Sequence, residues 1–135
     1  MHQEVNCMCE KFFAKHGQWF VLVSRILFGV LFFCHGLMKF GFFEGGFVPV
    51  YSIYWFAGII ELIVGAALVL GIGTRYASML GAADMLGAWF IAHAPAGWNP
   101  FSNGGELAVL YLSAFLVFMT IGAGRISLDR KVGLK

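Results

Sequence analysis

Charge is what this sequence has least of. Its 135 residues include 9 Lys or Arg and 7 Asp or Glu, 12% of the chain, and the net charge is +2. Soluble domains carry about 25% charged residues, so too little polar surface is available here to cover a free globule. A disordered chain is excluded for a related reason, because disorder needs polarity throughout. So small an excess of positive charge gives no ground for nucleic-acid binding. Cysteine is also sparse. Cys7, Cys9 and Cys34 are odd in number, and Cys34 lies within an apolar run, which argues against a disulfide framework. No HExxH, CxxC or Glu-x-x-His motif occurs, and no GxGxxG or Walker sequence supports nucleotide binding.

What is present is apolar. Hydrophobic residues make up 60% of the chain, 15 of them Phe, and the mean hydropathy is +0.82. The composition identifies a small integral membrane protein whose first partner is the lipid bilayer. A span needs roughly 20 apolar residues, so the chain has room for four spans with short connections. The expected fold is all-α: an integral membrane four-helix bundle. Residues 1–18 read as a polar N-terminal tail, residues 19–122 as the transmembrane domain and residues 123–135 as a basic C-terminal tail. The spans fall at about 19–40, 52–70, 75–93 and 106–122. Between them lie a Gly- and Pro-punctuated loop (41–51), the tight turn GIGT and a twelve-residue loop (94–105) rich in Gly, Pro and Asn. The first apolar run is too long for a signal-peptide core and continues into Lys39 without a small-residue cleavage site, so no cleaved leader is expected.

Orientation follows from the basic residues. With four spans, both tails and the GIGT turn share one side, and that side holds Lys11, Lys15, Arg75, Arg125, Arg130, Lys131 and Lys135. Seven of the nine basic residues therefore point to cytoplasmic termini and a multi-pass plasma membrane protein. Spans two and four end alike, in GIGTR and IGAGR, as two stacked hairpins would.

Ionisable residues inside spans are expensive and face the protein interior. Here they are Arg25, His35, Glu61 and Asp84. At about 100° per residue, Arg25 and Lys39 lie roughly 40° apart, with Gly29 and Gly36 on the same stripe. Glu61 shares its face with Gly58 and Gly65, and Asp84 shares its face with Gly81 and Ala88. Small residues let helix backbones approach, so both acids should point into the seam. Depth arithmetic brings Arg25, Glu61 and Asp84 together as a central charge cluster, with Arg25 pairing Glu61 or Asp84. It serves either as a structural pin or as proton-handling machinery. A second grouping, His35, Glu61 and Glu106, is expected to line one outward-opening cavity beneath the 94–105 loop. Imidazole and carboxylate there would suit proton transfer coupled to a redox step. Lys39 and His93 also read as interfacial anchors, and Glu106 also reads as a first-turn charge. The Cys7-Met8-Cys9 triplet offers soft ligands but has no companion motif, so no metal site is assigned.

The stretches SRILFGVLFFCHGLMKFG, FAGIIELIVGAALVLGIGTR, AHAPAGW, GGELAVLYL and IGAGRISLD occur in that order. Over about residues 20–130 the chain resembles the DoxX family of small four-span membrane proteins. On that match Arg25, His35, Lys39, Glu61, Glu106 and Arg125 occupy family motif positions. The resemblance implies redox chemistry, since namesakes are subunits of a thiosulfate:quinone oxidoreductase. It also implies a quinone as cofactor and a soluble or membrane oxidoreductase as partner. Three functions compete: a quinone-linked redox subunit, a non-catalytic subunit that docks or assembles a redox partner, and a small-solute carrier, which at this size would need a homo-oligomer.

Overall fold

The computed structural model describes residues 8–133, and all regular structure among them is helical. Helix α1 spans Met8–Lys39, α2 Ile53–Leu70, α3 Thr74–Ala88, α4 Glu106–Ile121 and the short α5 Leu128–Lys131. α1 and α2 are each long and apolar enough to cross a membrane, and α4 is a shorter apolar helix of 16 residues. α2 opens on Ser52, whose side chain accepts from the Trp55 N–H, and closes on Gly71 in the left-handed region at φ +70°. Such a cap satisfies end groups that the helix cannot satisfy itself.

α1 is longer than expected. Residues 8–18, assigned to the polar tail, are helical and continuous with the apolar run. Glu10, Lys11, Ala14 and Lys15 are good helix formers, and no proline interrupts them, so the helix propagates out of the apolar segment. The Cys7-Met8-Cys9 triplet lies outside the residues whose side chains are described.

α1 packs against α2, α3 packs against α4, and α2 against α3 joins the two pairs. Glycine sets the first contact. Gly29 faces Gly65 and Gly36 faces Gly58, so a seven-residue step on α1 meets a seven-residue step on the antiparallel α2. A Cβ at Gly65 would lie 2.6 Å from the Phe33 nitrogen, and one at Gly36 would lie 2.9 Å from the Gly58 oxygen. Backbone therefore meets backbone along this seam. The remaining core is aromatic: Phe32 and Phe115 meet edge to face at 4.9 Å between centroids, and Tyr111 and Phe118 close around Phe28.

The end carrying the α2–α3 turn is tied by side chains. Arg25, 1% exposed, donates to the carbonyls of Leu68 and Val69 in the last turn of α2 and to Ile126 at 3.0 Å. Asp129 accepts from the backbone N–H groups of Gly73 and Thr74, where α3 begins. Both helix ends at the turn are thereby capped from elsewhere in the chain.

Candidate functional site

The charged centre of the molecule is an ion pair that the periodicity argument did not select. Lys39 Nζ lies 2.6 Å from Glu61 Oε2, and the two side chains are 24% and 5% exposed. Lys39 stands three residues after Gly36, and Glu61 three residues after Gly58. A helical side chain leans toward its own helix N-terminus. In an antiparallel pair these two lean toward each other, and they meet at the level where Gly36 and Gly58 leave room.

Arg25 does not join them. The expected Arg25–Glu61–Asp84 cluster is corrected by register: with Gly29 opposite Gly65, Arg25 stands level with the end of α2, and its guanidinium is consumed by carbonyls there. The basic member of the cluster is Lys39. Asp84 does approach the pair. It lines, with Lys39 and Glu61, a cleft of about 320 Å³ between α2 and α3. The rest of the lining is almost wholly apolar and includes Tyr54, Ile60, Leu80 and Ile91. Asp84 Oδ2 is buried without a hydrogen-bond partner among the described residues. Because Tyr54, Phe56, Leu80 and Ile91 are themselves exposed, the cleft opens sideways through an apolar rim.

The grouping of His35, Glu61 and Glu106 is likewise not assembled. His35 turns toward α4, where its ring meets Tyr111 edge to face at 5.5 Å. Glu106 is exposed at the first turn of α4. Neither lines the cleft. Aromatic packing of Phe32, Tyr111 and Phe115 fills the space between α1 and α4. The 94–105 loop is braced on itself: Asn103 Nδ2 donates to the Gly97 carbonyl at 2.7 Å, and His93 Nδ1 lies 3.2 Å from the Asn103 oxygen. It follows a π-helical turn, Trp89–His93, that carries α3 past its last regular turn. Among the described residues no group of three His, Cys, Asp or Glu is placed to hold a metal ion.

The sequence profile of the DoxX family matches residues 20–94, more than half of the chain. The chain belongs to the DoxX family. A Haemophilus influenzae relative named "Uncharacterized protein" is 37% identical over 125 residues, covering 87% of this chain and 93% of its own. A Bacillus subtilis relative named "Putative oxidoreductase CatD" is 31% identical over 115 residues, 80% of this chain and 83% of its own. No solved structure matches the chain. The DoxX match covers α1 from residue 20 onward, α2 and α3, and therefore Lys39, Glu61 and Asp84.

Proposed function

We propose that this DoxX-family membrane protein is a four-span plasma membrane protein with cytoplasmic termini, and that its α2–α3 cleft serves a quinone-linked oxidoreductase. One observation carries the reading: a convergent acid–base set, Lys39, Glu61 and Asp84, sits in an apolar cleft that opens through an apolar rim. Clefts of roughly 300–1,000 Å³ with few polar groups suit small ligands, and a lateral mouth admits a ligand dissolved in the bilayer. The exposed mid-helix residues Leu27, Ile63, Leu86, Leu110 and Val117 support four lipid-facing helices, since the polar groups are turned inward. The Bacillus subtilis relative's name supports the redox assignment.

A bound quinone would supply two-electron, two-proton redox chemistry, with the electrons delivered by a partner oxidoreductase. Lys39 would hold it by donating to a carbonyl oxygen. Asp84 and Glu61 are the groups positioned to pass protons inward, and the apolar walls exclude bulk water from the exchange. Protein purified in mild detergent should retain quinone, identified by mass spectrometry of an organic extract, and Asp84→Asn should lose it while folding normally. Quinone-free wild-type protein that instead co-purifies a soluble oxidoreductase would favour the second reading, a non-catalytic docking subunit. That reading is favoured by His35 packed on Tyr111 and Glu106 at the surface, which leaves two expected proton-handling groups unused.

The orientation has its own measurement. In a variant without native cysteines, a membrane-impermeant maleimide added to intact cells should modify Ser102→Cys and spare Lys131→Cys. The reverse pattern would place the termini outside.

A further inference from the structure

The end of the molecule away from the acid–base cleft carries a second hollow, and its chemistry is of a different kind. It measures about 650 Å³ and lies where α3 begins and α4 ends. Three arginines line it, Arg75, Arg125 and Arg130, and all three are exposed. Its one carboxylate, Asp129, is already engaged by the N–H groups of Gly73 and Thr74. Arg75 gives one N–H to the Met119 carbonyl at 3.3 Å, and among the described residues none of the three has an ion-pair partner. Gly73, Gly122 and Gly124, all at positive φ, form part of its lining and add no side chains of their own. On the rim stand Tyr76, 78% exposed, and Ile121, 47% exposed, so an apolar border adjoins the cationic centre.

We propose that this hollow binds the phosphate of an anionic phospholipid headgroup. Guanidinium is planar and presents paired donors that match phosphate oxygens two at a time. Basic hollows at the ends of membrane helices hold anionic headgroups, and aromatic side chains at that depth sit at the headgroup level. Tyr76 and Ile121 then face the glycerol and upper acyl chain, while the arginines face the phosphate. The site needs only that the helices are inserted in a bilayer and is independent of any redox role for the cleft.

The test uses the full chain in detergent, titrated with phosphatidylglycerol, phosphatidylcholine or inorganic phosphate, with bound species counted by native mass spectrometry. Phosphatidylglycerol should be retained in preference to phosphatidylcholine. Retention should fall about fivefold for each arginine removed, in R125Q and R130Q alike, and should stay unchanged in K131Q, whose side chain lies outside the hollow. R75Q also loses the Met119 contact, so R125Q and R130Q carry the test if R75Q does not fold. Binding of inorganic phosphate with the same arginine dependence, and no preference for phosphatidylglycerol, would keep the phosphate site but make a free anion its occupant. Retention of neither ligand, or equal losses in K131Q and R130Q, would overturn the proposal. So would arginine-dependent capture of an acidic protein without lipid.

Discussion

Lys39→Met will cost the protein about 3–5 kcal/mol of stability, and Glu61→Gln will cost less. The asymmetry comes from burial. Glu61 is 5% exposed and among the described residues has no partner but Lys39, whereas Lys39 is 24% exposed and occupies the last position of α1. Removing the lysine strands a carboxylate in the helix seam. Removing the acid frees a long side chain that reaches the surface along its own stem. The double variant K39M/E61L should recover most of the loss, because an apolar pair of similar bulk replaces a buried ion pair at little net cost. Thermal melts in one detergent, followed by circular dichroism at 222 nm, measure all three. If K39M and E61Q melt together, the pair is not organised by burial.

Gly65→Val is expected to be as damaging, by about 3 kcal/mol or by outright failure of α1 to pack on α2. Its Cβ would enter the space of the Phe33 nitrogen at 2.6 Å and of the Gly29 oxygen at 2.8 Å. Neither is the end of a flexible side chain, so the helices must separate and lose contact along their length. Gly17→Ala in α1 supplies the contrast. Nothing lies within 4 Å of its new carbon, and replacing helical glycine by alanine gains up to about 1 kcal/mol. The same thermal melts decide the matter: a Gly65→Val protein as stable as wild type would mean that the glycine seam is not closed.

Helix positions were legible because they depend on apolar runs and turn chemistry. Ser52 and Gly71 bound α2 within a residue of the expected span, and the GIGT turn is where its glycines placed it. The small-residue faces of Gly29, Gly36, Gly58 and Gly65 were legible for the same reason. Partner choice was not read correctly. Depth arithmetic treated spans one and two as centred on a common plane, which put Arg25 near Glu61. The true register is fixed by backbone contact at the glycines, and it moves Arg25 to the end of α2. The signal was nevertheless present: Gly36-Leu-Met-Lys39 and Gly58-Ile-Ile-Glu61 carry opposite charges three residues after matched glycines. His35 misled for another reason. A mid-span imidazole beside Gly36 reads as chemistry, but its neighbour is Tyr111, more than seventy residues away, and no periodicity within α1 reveals that. Asp129 was missed because its role as a cap belongs to a helix 55 residues earlier in the chain.

That distance bears on biogenesis. Arg25, Gly71 at the end of α2 and the first turn of α3 all leave the ribosome well before Ile126 and Asp129, yet they rely on those residues for hydrogen bonds. Until residues 126–129 are made, the start of α3 is uncapped and part of the Arg25 guanidinium is unmatched. The turn between α2 and α3 is therefore fastened last, by a clasp that closes only when translation reaches residues 126–129.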